Sequence, residues 1–360
     1  MPTERTPAAS YDLVVFCHLR WDFVYQRPQH LISRLSKHYR TLFVEEPWHR
    51  PDRTEHAVRA VSDRLTVLQP NTDRIEEVGA SVLDHLGGSA VSTVWMYSPS
   101  FLPALDALTT DTLVYDCMDE LSLFRGAPPA LVAQEQQLLA RADVVFTGGR
   151  SLYEAKQPYH DRVYCFPSSV DREHFARALD PSLSLPEAIA HIPTPIVGYF
   201  GVIDERVDLR LLDDTAALRP SVHFVMIGPL AKIGEGDLPR RANIHYLGMR
   251  DYADLPQYLR AFAVAMMPFA LNDATKFISP TKTLEYMAAG KPIISTAVRD
   301  VVREYADTVA IVATAEAFAQ AIDAALSPGA QAPDYQAILD RTSWDATAER
   351  MQSILEKIPA

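Results

Sequence analysis

One stretch limits the choice of fold more than any other: Ile278-Ser-Pro-Thr-Lys-Thr-Leu-Glu-Tyr-Met-Ala-Ala-Gly-Lys-Pro-Ile-Ile-Ser-Thr296. Ser279 is an N-cap residue by type, and Pro280 suits the first helical position, where its missing N–H costs nothing. The pattern predicts a short helix running to Ala289. Gly290 suits a left-handed terminating position, Pro292 forbids resumption, and Ile293-Ile294 opens a buried strand. The backbone N–H groups of Thr281 and Lys282 then lie at a helix N-terminus, where dipole and unpaired donors favour an anion. Glu285 shares their face one turn deeper, placed to accept hydrogen bonds from ribose hydroxyls. The plain alternative is a capped helix with a surface glutamate.

The same alternation recurs along the chain. Tyr11–Cys17 is a buried strand by its β-branched run, residues 26–38 are helical with Leu31, Ile32 and Leu35 on one face, and Thr41–Val44 is the next strand. Strand, turn, helix, strand is a βαβ unit. Residues 64–68, 92–97, 113–115 and 143–146 read as further strands, with a helix over 130–140. This is an open, mostly parallel sheet with helices on both faces. Leu179 to Thr194, with several prolines and little periodicity, reads as a linker. After it the pattern restarts, with strands at 196–200, 222–227, 244–247, 263–267, 293–296 and 309–312 and a helix over 255–262.

A chain of 360 residues is about right for two domains. Its net charge of -12 argues against nucleic acid as a partner, so a bound phosphate must be met by helix ends and single cations. Cys17, Cys117 and Cys165 have no short spacing and read as reduced core thiols of a cytoplasmic protein. Met1 to Ser10 is polar, expected to fray, and carries no signal-peptide pattern. No apolar run approaches the roughly 18 residues of a membrane span. No His/Glu/Cys cluster has metal-ligand spacing, and Asp213-Asp214 sits inside a helix pattern, so neither a metal nor another cofactor is expected.

"SPTKTLEYMAAGKPIIST" resembles the nucleotide-binding segment of family 4 glycosyltransferases of the GT-B fold. "CFPSSVDREHF" (residues 165–175) resembles that family's hinge, with Ser168-Ser169 in place of Asn-Gly, and "SWDATAERM" (343–351) its closing helix. "RPQHL", "VYDCMDELSLF" and "GYFGVIDERVDL" resemble a bacterial branch of it. The resemblance implies an α/β chain of two Rossmann-like domains facing across a cleft. The acceptor domain would span 1–180, with a C-terminal helix (343–360) crossing back to it. The nucleotide-sugar donor domain would span 190–342. It also implies metal-independent, retaining hexosyl transfer from a nucleotide sugar, UDP-linked by preference, to a hydroxyl of a glycan or lipid-linked acceptor in polysaccharide synthesis. Two alternatives stay open: a non-catalytic sugar-nucleotide or glycan-binding protein on this fold, and a UDP-sugar epimerase.

On the donor side the expected residues are Gly201, Arg206, Thr281, Lys282 and Glu285. Gly201 ends a strand and admits a close backbone, and Arg206 can bond a diphosphate. Lys282 is the second phosphate cation, or else a solvated helix lysine. The family places a second acid eight residues before Glu285, where this chain has Phe277. Asp273, another residue or the loop backbone would then substitute, or the donor is recognised differently. On the acceptor side, Asp116 and Asp119 are expected after a strand's carboxyl end, where either can orient or deprotonate a hydroxyl. His18 faces the same region, as a substrate ligand or a satisfied loop histidine. Arg27, Arg34, Lys37, His38 and Arg40 form a basic stripe, read chiefly as a solvated face and secondarily as a peripheral contact with an anionic membrane at its inner face.

Overall fold

The computed structural model describes residues 11–358, so the polar segment Met1 to Ser10 lies outside the described residues. The chain divides into two compact units. The first takes residues 11–122, 126–167 and 345–358, and the second takes 123–125 and 168–344.

The first unit is built on an eight-stranded sheet, ordered β3-β4-β2-β1-β5-β6-β7-β8. Its strands are β1 (Leu13–Cys17), β2 (Thr41–Glu45), β3 (Ala57–Ser62), β4 (Leu65–Gln69), β5 (Ala90–Met96), β6 (Thr109–Cys117), β7 (Val144–Thr147) and β8 (Val163–Cys165). All neighbours are parallel except β3, which runs antiparallel along β4 at the edge. Central strands read as unbroken apolar runs because both faces are covered, as in Leu13–Cys17. β3 is exposed along most of its length, and its apolar residues Ala57, Val58, Ala60 and Val61 do not follow a two-residue alternation, which is why the sequence pattern passes over it. β6 is longer than its apolar centre, so Asp116 lies inside the strand and not after it. Helix Trp344–Leu355 buries Ala348 and Met351, and Asp345 pairs with Arg34 at 2.9 Å.

The second unit carries a six-stranded, wholly parallel sheet, ordered β11-β10-β9-β12-β13-β14. Its strands are β9 (Ile196–Phe200), β10 (His223–Ile227), β11 (Ile244–Gly248), β12 (Val264–Met267), β13 (Ile293–Ser295) and β14 (Ala310–Ile311). The two-residue side-chain period splits each central strand between two cores. Val197, Tyr199, Phe224, Met226, Val264 and Met266 face one. Ile196, Phe200, Val225, Ile227, Ala265 and Met267 face the other. Residues 179–194 do not behave as a free linker, because Ile189 and Ile192 pack into this second core together with Val170 and Phe175.

Candidate functional site

Helix Thr281–Ala288 starts where the sequence places it, with a different cap. Pro280 is the N-cap and makes no side-chain cap bond. Ser279 instead gives its carbonyl to the Ser168 hydroxyl at 2.5 Å. The far end closes on Gly290 at φ 64, with the Gly290 N–H bonded to Met287 and the Lys291 N–H to Tyr286. Tyr286 is fully buried, and its hydroxyl accepts the Phe200 N–H at 3.1 Å. That bond ties the helix to the end of β9, where the Gly201 loop begins.

The Gly201 loop is held at both sides. The Gly201 N–H donates to Ile227 at 2.8 Å, and the Ile203 N–H to Pro229 at 3.0 Å. Gly201 has φ 134, and a Cβ there would lie 2.2 Å from Lys282 Cε and 2.6 Å from its Nζ. The lysine stem therefore lies directly on a bare backbone. Its ammonium stands 5.5 Å from the Tyr199 ring centroid and 5.9 Å from that of Phe269. Thr281, Lys282, Gly201 and Glu285 are thus brought together at one helix end.

Glu285 is not a surface residue. It is 4% exposed. Burial pushes its carboxyl up to about 7, against the pull of Lys282 and the Thr281 side chain. A carboxyl poised near neutrality beside an ammonium and a helix N-terminus can accept hydroxyls when ionised.

Arg206 is no open cation. Its Nε lies 3.0 and 3.1 Å from the two Asp204 oxygens, and its Nη2 2.7 Å from Oδ2. Asp204 is buried, so the pair fixes the direction of the guanidinium. The segment Leu123–Arg125 clusters with this unit and brings the Phe124 ring within 5.3 Å of Arg206 and 4.6 Å of Lys232. Lys232, in the loop after β10 at φ 61, reaches Glu205 at 3.3 Å. Sequence reasoning missed Lys232, a cation beyond Arg206 and Lys282, because nothing in its neighbours distinguishes it from a surface lysine. Phe277 is half-buried with Lys276 Nζ 5.3 Å from its ring, while Asp273 is exposed in a short turn.

In the first unit Asp116 is fully buried. Arg27 Nε lies 3.1 and 3.2 Å from its oxygens and Nη2 2.9 Å away, while Nη1 bonds the Phe166 carbonyl at 2.7 Å. Burial raises the Asp116 carboxyl and Arg27 pulls it back down. Arg27, expected on a solvated basic stripe, is in fact 4% exposed and inside the fold, and Arg34 of the same stripe pairs with Asp345. A lone Asp in the apolar run Leu113-Val-Tyr-Asp-Cys was the readable signal, since a buried carboxylate demands a cation.

Asp119 is half-buried in the turn after β6, and His18 is half-buried just after β1. The Asp119 turn is braced. Lys156, 5% exposed, sits 2.5 Å from Glu120 and 2.7 Å from Glu135, and the Tyr115 hydroxyl donates to Glu135 at 2.7 Å. Among the described residues no three of His, Cys, Asp or Glu converge as a metal-binding group. No helix among them is long and apolar enough to cross a membrane.

Residues 194–327 match the family model described as glycosyl transferases group 1. Over 223 residues the chain is 26% identical to a Bacillus subtilis (strain 168) protein named as a teichuronic acid biosynthesis glycosyltransferase, TuaH. That match takes in 56% of the chain and spans 55% of the relative, about half its length. Solved structures align over nearly everything. A sucrose-phosphate synthase from Thermosynechococcus elongatus gives a TM-score of 0.71 at 16% identity, covering 96% of this chain and 98% of that one. The E. coli trehalose-6-phosphate protein solved with UDP-2-fluoro glucose gives 0.71 at 14%, covering 96% and 99%. Anabaena HepE, solved with UDP and glucose, gives 0.65 at 16%, covering 96% and 100%. Identities this low speak for the fold, which is GT-B.

Proposed function

Residues 194–327 form a glycosyl transferases group 1 domain on a GT-B fold, and from that premise we propose that the chain transfers a sugar from a nucleotide-sugar donor to a hydroxyl acceptor. The donor is UDP-linked, as in the ligands named for two structures of the same fold. The acceptor belongs to polysaccharide synthesis, in keeping with the teichuronic acid relative. Transfer retains anomeric configuration, and no metal or cofactor is assigned a part.

The observation that carries this reading is the Lys282 stem lying on Gly201 above the N-terminus of helix Thr281–Ala288, with Glu285 buried one turn behind. Lys282, the Thr281 N–H and the Arg206 guanidinium set by Asp204 meet the diphosphate, and their charges grow in value as the leaving diphosphate forms. Glu285 accepts the ribose hydroxyls. Asp119 acts on the acceptor hydroxyl, and the Lys156 brace positions its turn. Asp116 shapes that site from within, through Arg27. The experiment is UDP titration of Glu285→Ala and Arg206→Ala. Each is expected to lose about ten-fold or more in affinity while melting as a folded protein. Unchanged UDP affinity in both would refute the assignment.

A second reading follows from Phe277 standing where the family has an acid. It makes the chain a binder of sugar nucleotides without transfer. Donor hydrolysis or transfer by the purified protein, lost in Asp119→Asn, excludes it.

A further inference from the structure

The loop that carries Arg206 is held by three residues from far back in the chain. Out of residues 11–167, Leu123–Arg125 alone cluster with the second unit. Gly126, at φ 79, takes the left-handed turn directly after them.

Their contacts form one connected set. The Arg125 N–H donates to Glu205 Oε1 at 3.2 Å, and the Lys232 ammonium reaches the same oxygen at 3.3 Å. The Glu205 carbonyl accepts Asn272 Nδ2 at 2.8 Å. Phe124, one residue before Arg125, places its ring centroid 4.6 Å from Lys232 Nζ and 5.3 Å from Arg206 Cζ. Phe124 is only half-buried, and it belongs to neither core of the second unit. Core packing therefore does not account for an aromatic residue here.

Arg206 is otherwise held from one side. Its backbone N–H bonds Asp204 Oδ1 at 2.9 Å, and its carbonyl accepts the Ala270 N–H at 2.8 Å. Its side chain meets Asp204 through Nε and Nη2. A carboxylate fork grips one edge of the planar guanidinium. A ring against the group limits its tilt about that edge, a contact open to arginine because the group is flat. A phenyl ring has no polar atom, so it holds the cation without neutralising it. It also displaces water beside the cation, which raises the value of the charge to an approaching anion.

We propose that Phe124 is a positioning residue for Arg206: seated by the Arg125–Glu205 bond, its ring keeps the guanidinium in the tilt that meets the donor diphosphate. The diphosphate clause rests on the donor role given to Arg206 above, whereas the seating of the guanidinium does not.

Calorimetric titration of the full chain with UDP tests the diphosphate clause. Phe124→Ala should weaken UDP binding at least about three-fold, and Phe124→Tyr, which keeps the ring, should bind as wild type does. On an Arg206→Ala background, Phe124→Ala should cost no further affinity, because the group it positions is gone. The Nε–H resonance of Arg206 tests the seating with no ligand present. Its exchange with water should quicken at least about three-fold in Phe124→Ala and keep the wild-type rate in Phe124→Tyr. Phe124 lies outside both cores, so both variants should melt as folded proteins.

In a chain whose UDP affinity depends on Arg206, three results would each overturn the proposal: wild-type affinity in Phe124→Ala, an equal further loss on the Arg206→Ala background, or no recovery in Phe124→Tyr. An Nε–H exchange rate indifferent to residue 124 would overturn it as well. UDP binding that ignores Arg206→Ala, with exchange still following the ring, would strike the donor role of Arg206 and leave the seating in place.

Discussion

Glu285 gives the sharpest case of a residue whose type was legible and whose state was not. Its spacing from Lys282 placed it at the helix end, yet only the packed structure shows it enclosed and its carboxyl raised to about 7. The folded protein therefore keeps a proton there that the unfolded chain, at the usual glutamate value near 4.5, releases. The stability this group contributes is complete below about pH 4.5 and drains away as pH rises through 7. Glu285→Gln removes that titration. Wild-type melting temperature should fall relative to the variant between about pH 5 and 8, by the equivalent of at most ~3 kcal/mol. UDP-glucose, whose diphosphate does not titrate in this range, should bind wild type more tightly as the carboxylate ionises and leave the variant flat. Parallel pH profiles for the two proteins would contradict both halves. Arg27 teaches the opposite lesson. Helical periodicity put it among exposed cations, and its neighbours in sequence hold no hint of Asp116, which lies 89 positions away.

Among the elements, the helix between Pro280 and Gly290 was readable almost to the residue, because Pro and Gly act through backbone geometry that no tertiary contact is needed to reveal. β3 was not, since its apolar residues break the two-residue alternation and stay mostly exposed at the sheet edge. The loop from Gly201 is intermediate. A glycine after a strand suggested close approach, but not that Lys282 would be the group approaching. Gly201→Ala tests the element as a unit. At φ 134 a side chain is strained by about 1–3 kcal/mol, and the new methyl occupies the place of the lysine stem. The expected result is a lower melting temperature and UDP affinity reduced about ten-fold or more by calorimetry, the larger loss falling on binding because Lys282 must move. Wild-type affinity would mean that the lysine does not need this seat.

For the molecule as a whole, two sheets of alternating strands and helices were plain from the pattern, and the assignment of segments to units was not. Residues 165–175 resembled a hinge and 179–194 read as a linker from their prolines, yet the apolar residues Val170, Phe175, Ile189 and Ile192 in them are core. Burial, not composition, decides membership. The first unit in turn includes residues 345–358, whose Ala348 and Met351 are buried. The exposed Arg34–Asp345 pair adds little to that burial. A chain ending at Trp344, the last residue of the second unit, should therefore lose several kcal/mol in the first unit only. Amide exchange should quicken in β1 and β2 while β9 and β12 keep their protection. Equal loss in both sheets would show that the closing helix serves the whole chain.

That division also sets an order of events on the ribosome. Everything the second sheet needs from residues 168–344 is translated before the helix that finishes the first sheet. The lobe begun earlier is thus completed later, and during elongation it waits with an uncovered apolar patch where Ala348 and Met351 will land.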